Sequence, residues 1–142
     1  MSVKEEQNNI VDQFTELEEW DDKYSLLIKM GKELGELDPE IKIEKNKISG
    51  CQSQVWMHAS LNDGKMVIKG DSDAMIVKGL VAMLIKVYSN QKPEDILSSP
   101  PEFLNKIGID KHLSPTRKNG LGSMLKQIKL FAVTFKALTD KK

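Results

Sequence analysis

Ile10, Phe14 and Leu17 recur at helical spacing within a run of acids and amides, which predicts an amphipathic helix over about residues 4–18. A break follows at Trp20. Asp21 and Asp22 can cap or favourably charge a second helix, whose stripe of Tyr24, Leu27, Ile28, Gly31 and Leu34 runs to the stop signals Gly35 and Pro39. Residues 41–53 are polar with isolated β-branched positions, and a short strand is expected near Ile43–Ile48 with a loop after it. From Gln54 to Leu61 the chain alternates Val55, Met57, Ala59 and Leu61 against Trp56, His58 and Ser60. Asn62-Asp63-Gly64 then supplies turn chemistry before Lys65–Lys69, so this stretch reads as a β-hairpin.

Asp71-Ser72-Asp73 ends the second strand and offers caps to the next helix. Ile76, Val77, Leu80, Val81, Leu84 and Tyr88 fall on one wide face of that helix, thickened by Met75, Met83 and Val87, so it is expected to be the central buried one. Pro93-Glu94-Asp95 opens a short helix, Pro100-Pro101 interrupts, and Glu102–Ile107 adds another turn or two. A sustained stripe from Leu121 through Met124, Ile128, Phe131 and Phe135 to Leu138 makes the last helix. Helices, then a small antiparallel sheet of about three strands, then helices predict an α+β fold with the helices packed on one face of the sheet.

Composition narrows the function classes. A chain of 142 residues can bury roughly 68–70% of the surface its unfolded form exposes, enough for one core, and residues 1–142 read as a single domain. With one cysteine there is no internal disulfide and no all-cysteine metal site. The polar, acidic start is unlike a signal or transit peptide, and the longest apolar run, Leu80 to Ile85, falls far short of the ~20 residues of a membrane span. A reduced, cytoplasmic setting is the expectation. Residues 1–40 hold 12 acids and 4 bases, so the net charge of zero hides an acidic front and a basic remainder. The lysines are scattered and the aromatics few, which disfavours nucleic acid; the acidic part is expected to lie against the basic part or a basic partner.

Cys51 is the first chemical candidate, because Ser49-Gly50-Cys51-Gln52-Ser53-Gln54 is a small, polar loop rather than an apolar run. Gly50 permits a turn that presents the sulfur at a tip, and reactivity would need nearby positive charge or backbone N–H groups to favour the thiolate. An inert small residue is the competing reading. Arg117 is the second, since lysine occurs 20 times and arginine once, which hints at a geometric demand that only a guanidinium meets. Ser114 as a cap, Pro115 at a first helical position and Asn119-Gly120 predict a bent segment around it. Asp71 and Asp73 read as helix caps before acid/base groups; His58 and His112 have no visible partner, and Trp56 reads as core or surface anchor. No phosphate loop, paired-histidine metal spacing or nucleophile elbow is present.

Three blocks stand out together: Gly50-Cys51-Gln52-Ser53-Gln54-Val55-Trp56; Gly70-Asp71-Ser72-Asp73-Ala74 with Ile76-Val77-Lys78-Gly79-Leu80; and Leu113-Ser114-Pro115-Thr116-Arg117 with Gly120-Leu121. In order and spacing they closely resemble the SufE family of sulfur acceptor proteins, with the CsdE proteins as near relatives, and Trp20 with Lys23-Tyr24 fits the same pattern. The resemblance implies a SufE/IscU-like fold and a non-enzymatic covalent carrier. Such a carrier accepts persulfide sulfur from a pyridoxal-phosphate cysteine desulfurase of the SufS or CsdA kind, stimulates that enzyme, and relays sulfur to an iron–sulfur scaffold. The acceptor would be Cys51, tucked against apolar surface until the partner docks. Gly50, Gln52, Gln54 and Trp56 would flank it, Asp73 would hold the loop or cap the helix, and Arg117 would contact the partner. Pyridoxal phosphate would belong to the partner, and the chain would carry neither cofactor nor metal of its own. An IscU-like scaffold is the runner-up, opposed by the single cysteine; a thiol enzyme needs a base beside Cys51, and His58 should point away from the loop. An interaction domain with an incidental cysteine is the third alternative.

Overall fold

The structure is a computed structural model and describes residues 1–140. Helix α1 (Val3–Thr15) is fixed at its start by a capping box, in which the Ser2 hydroxyl accepts the Glu5 N–H and the Glu5 carboxylate accepts the Ser2 N–H. Its buried stripe is Val3, Gln7, Ile10 and Phe14. Helix α2 (Trp20–Leu34) starts at Trp20 rather than after it, and Asp21 and Asp22 lie in its first turn without capping it. The hairpin is β1 (Val55–Asn62) and β2 (Lys65–Ser72), paired antiparallel from Val55 with Ser72 to Asn62 with Lys65, so Asp63-Gly64 is a two-residue turn. Helix α3 (Met75–Tyr88) follows, then α4 (Pro93–Leu97), α5 (Phe103–Ile107), α6 (Ile109–His112) and α7 (Pro115–Asp140).

Helix α3 is the hub, packing on α2, β2, α1 and α7. Its wide apolar face explains this: Leu80, Val81, Met83, Leu84 and Val87 are all fully buried. Met75 is the exception to the expected stripe, since it stands 65% exposed at the helix start. Among the described residues no helix is long and apolar enough to cross a membrane.

Two expectations are corrected. The sheet has two strands rather than about three. Residues 43–48 satisfy their backbone locally, through a 3-10 turn at Glu44–Asn46 and an Asn46 side-chain bond to the Ile41 carbonyl at 2.7 Å. Only Ile48 in that stretch is buried, so no alternating apolar set exists to hold a strand face. The segment meets the sheet through a bridge of Lys47 with Trp56 and an Ile48 N–H bond to the Val55 carbonyl at 2.8 Å. The second correction concerns the half of the charge expectation that sets the acidic front against the basic part: residues 1–40 do pack on the remainder, α2 on α3, but among the described residues no ion pair joins them. Helices α1 and α2 turn apolar stripes inward and leave their acids in water.

The Asp71 carboxylate is the one buried ionic centre of the hairpin, 2% exposed. One oxygen accepts the Leu37 N–H at 3.2 Å and pairs with Lys42 at 3.3 Å; the other accepts the Ser72 N–H at 2.7 Å and pairs with Lys78 at 3.2 Å. Burial alone would raise its pKa, but the Leu37 and Ser72 amides and Lys78 outweigh burial and hold it below the ordinary 3.8. The folded state therefore resists protonation more than the unfolded chain does. The resulting stability is complete above the ordinary value and is lost as pH falls through the depressed one. Asp71→Asn is expected to cost about 2–3 kcal/mol at pH 7 in urea unfolding, a gap that narrows as pH falls below the ordinary carboxylate value, where the unfolded chain takes up the proton first. A gap that stayed constant with pH would contradict the ionic account.

Candidate functional site

The loop bearing Cys51 is closed at its base by the Ile48–Val55 bond. Gly50 adopts φ 86°, a conformation unfavourable to residues with a side chain, and a Cβ there would stand 2.8 Å from the Ser123 hydroxyl on α7. The loop thus leans on α7 at Gly50 and turns the next side chain inward. Cys51 is half-buried, with its Sγ 3.8 Å from the Gly120 carbonyl oxygen. Burial pushes its thiol pKa up from the ordinary range.

Around the sulfur lies an open cleft of about 380 Å³, lined by Gln52 and Ser53 from the loop, Val77 from α3, and Ser114, Thr116, Arg117, Gly120 and Met124. The start of α7 forms one wall because the Ser114 hydroxyl accepts the Arg117 N–H at 3.3 Å, the Ser114 carbonyl accepts the Lys118 N–H at 2.9 Å, and Pro115 takes the first helical position. This corrects the expected bend. Asn119-Gly120 lies inside the helix, and the helix begins six residues before Leu121. Arg117 and the positive end of α7 thereby border the cleft that holds the thiol.

The strand-to-helix junction also differs from its expectation as a set of caps. Helix α3 has Ala74 at its N-cap and no side-chain cap bond. Asp73 instead accepts the Gln54 N–H on its Oδ1 at 3.0 Å, so it holds the exit of the Cys51 loop. Ser72 donates its hydroxyl to the Gln54 carbonyl at 2.8 Å.

The structure brings Cys51, Gln52 and Arg117 to one cleft, with Gly50 beside it against Ser123 and with Gln54 and Asp73 bonded to each other at the loop's exit. It does not bring Trp56 there. Trp56 is 7% exposed, opposite Asp71 in the hairpin, with the Lys42 ammonium 4.7 Å from its ring centre. Neither histidine lines the cleft: His58 pairs with Lys69 in mid-strand, and His112 stacks on Trp20 with ring centres 3.9 Å apart. Ser114, Thr116, Gly120, Ser123 and Met124 are contributors that sequence reasoning leaves unassigned. Helical spacing along α7 from the Ser114 cap is the available signal, since residues 116, 120, 123 and 124 share one face. Among the described residues no three His, Cys, Asp or Glu side chains converge as metal ligands.

Fold and site together define a small α+β protein that presents one half-buried thiol in an open cleft. Residues 8–132 match the SufE family, described as the Fe-S metabolism associated domain, and the chain belongs to that family. An uncharacterised SufE-like protein of Rhizobium etli is 42% identical over 127 residues, which cover 86% of each chain. One of Rhizobium meliloti is 39% identical over 127 residues, covering 86% of this chain and 91% of the relative. One of Synechocystis is 39% identical over 126 residues, covering 89% and 79%. In fold, the chain resembles the solution structure of a hypothetical protein from Thermus thermophilus, with a TM-score of 0.77 at 23% identity over 94% of this chain and 96% of that one.

Proposed function

We propose that this protein is a sulfur acceptor and carrier for iron–sulfur cluster assembly, loading sulfur on Cys51. The observation that carries the reading is the lone thiol, turned into a cleft bordered by Arg117 and the start of α7, in a chain whose family is associated with Fe–S metabolism. The Cys51 thiolate attacks the terminal sulfur of a donor cysteine persulfide. A new S–S bond forms at Cys51, the donor S–S bond breaks, and the donor cysteine leaves as thiolate with the bonding pair. No electrons enter or leave the pair of proteins, so the carrier needs no cofactor; pyridoxal phosphate is the donor desulfurase's.

The remaining parts follow from the same chemistry. A half-buried thiol with a raised pKa is a poor nucleophile at neutral pH, which protects it from oxidation and requires the partner to draw it out. The desulfurase is stimulated because removal of its persulfide frees its cysteine for another turnover, and an iron–sulfur scaffold receives the sulfur by a second exchange of the same kind. A cytoplasmic setting keeps the thiol reduced.

Incubating the protein with a cysteine desulfurase and cysteine, then measuring intact mass, tests the reading. The expected result is a gain of about 32 Da, one sulfur, that dithiothreitol removes and that maps to the peptide containing Cys51. No gain with several desulfurases, or a gain elsewhere, overturns it. Arg117 is exposed at the cleft rim, and its side chain makes no ion pair among the described residues, which leaves its guanidinium free for a partner. Arg117→Ala is expected to slow transfer about ten- to a hundredfold with little change in melting temperature. A native transfer rate in that variant removes Arg117 from the site.

A further inference from the structure

The Cys51 loop is held very unevenly. Its tip rests on α7 through Gly50 against Ser123 and through the 3.8 Å contact of Sγ with the Gly120 carbonyl, neither of them a strong bond. Its exit at Gln54 has both backbone polar groups engaged. The Gln54 N–H goes to the Asp73 carboxylate at 3.0 Å, and its carbonyl accepts the Ser72 hydroxyl at 2.8 Å and the Asp73 N–H at 3.3 Å. Of these, the Ser72 hydroxyl bond is the shortest. Ser72 is 6% exposed and is itself held: its N–H goes to the buried Asp71 carboxylate at 2.7 Å, and its oxygen accepts the Ala74 N–H at 3.3 Å.

We infer that Ser72 is a positioning residue for Cys51: its hydroxyl holds Gln54, the hinge of the acceptor loop, in the setting that seats the tip on α7, and this bond is given up when the loop opens. The functional meaning rests on the proposed sulfur-acceptor reading. The role is not that of a helix cap, because α3 starts after Ala74 without a side-chain cap bond, and the hydroxyl hydrogen points to the loop instead. Nor is it core filling, since the hydroxyl's hydrogen bonds rather than its small volume connect it to the loop. The arrangement links the loop to Asp71 and, through Lys42 and Lys78, to the α2–β1 connection and to α3. The hinge is thereby tied to the buried Asp71 carboxylate.

Removing the hydroxyl deletes one of the two bonds at the Gln54 carbonyl and leaves the longer one. Loss of one such bond corresponds to about a fivefold shift in the equilibrium between closed and open loop. The test is the rate at which Cys51 reacts with iodoacetamide in the free protein, measured beside the melting temperature. Ser72→Ala is expected to react about fivefold faster than native, and Ser72→Thr, which keeps the hydroxyl, at the native rate. An unchanged rate in Ser72→Ala, whatever its melting temperature, overturns the inference, as does a fast rate in both variants. If Ser72→Ala does not fold, amide hydrogen exchange of the native chain decides: the Gln54 amide is expected to be protected while those of Cys51 and Gln52 exchange fast, and equal rates at all three overturn the hinge. None of these readouts requires sulfur transfer, so failure of the hinge and failure of the sulfur-acceptor reading are separable. In a desulfurase assay, the positioning role predicts a lower rate of persulfide uptake for Ser72→Ala, restored in Ser72→Thr.

Discussion

Cys51→Ser is expected to take up no sulfane sulfur from a desulfurase and to lose all stimulation of that enzyme, while its melting temperature stays close to native. The two halves of this expectation have different physical causes. Serine is nearly isosteric with cysteine, and the site offers a polar neighbour, the Gly120 carbonyl, that a hydroxyl can use at least as well as a thiol. A half-buried position that keeps its shape and its polar contact should change stability by about 0.5 kcal/mol or less. The chemistry does not survive, because a hydroxyl is not ionised near neutral pH and cannot attack a persulfide sulfur. The native thiol already stands at a disadvantage through burial, so its reaction with iodoacetamide in the free protein should keep accelerating above the pH at which an exposed thiol levels off. Addition of a desulfurase that draws the loop out should shift that profile to lower pH. A Cys51→Ser protein, which has no thiol left, that still gained dithiothreitol-removable sulfur would show that the gain is not a Cys51 persulfide and end the present reading of the cleft.

Much of this site is legible in the sequence, and the parts that are not have identifiable causes. The thiol is recognisable from the small polar residues around it, since such a segment has no apolar face to bury. Arg117 is conspicuous as one arginine among 21 basic residues. What pattern cannot show is which distant groups a loop touches. Ser72 and Asp73 at a strand-to-helix junction have the composition of caps, and local reasoning assigns them so. In three dimensions the hairpin places Val55 opposite Ser72, so both side chains reach Gln54, 18 and 19 residues away, before they can serve α3. The start of α7 is legible in Ser114 as a cap and Pro115 at the first helical position, but Asn119-Gly120 carries a turn signal that the helix overrides by running through the pair. The expected third strand fails because β-branched residues at 43 and 48 mark strand propensity without supplying an alternating buried set.

The largest effect on stability is expected at a residue with no side chain, Gly79 in the middle of α3. By intrinsic propensity, Gly→Ala inside a helix should stabilise by about 1 kcal/mol. Here the neighbouring helix reverses the sign. A Cβ on Gly79 would stand 2.2 Å from the Leu27 carbonyl oxygen and 2.6 Å from its carbon, both backbone atoms of α2, and a Cβ on Gly31 would approach the Gly79 nitrogen to 3.0 Å. Two helices meet backbone to backbone at Gly31 and Gly79, and neither contact can be relieved by turning a side chain. Accommodating the methyl requires α2 and α3 to separate, which opens the core around the fully buried Leu27, Leu80 and Met83. We therefore expect Gly79→Ala to destabilise by at least about 3 kcal/mol, the upper range of overpacking, and to lower the melting temperature by roughly 10 °C or more. Gly122→Ala in α7 is the control. Nothing lies within 4 Å of its Cβ position, so propensity should act alone and raise stability by about 0.5–1 kcal/mol. The loss should reach the cleft as well, because α3 carries Val77 in the cleft wall and Lys78 on Asp71, two residues and one residue before Gly79. Calorimetry of the two variants beside the native chain checks the sign directly: a Gly79→Ala protein melting at or above native would mean that α2 and α3 do not touch at this crossing.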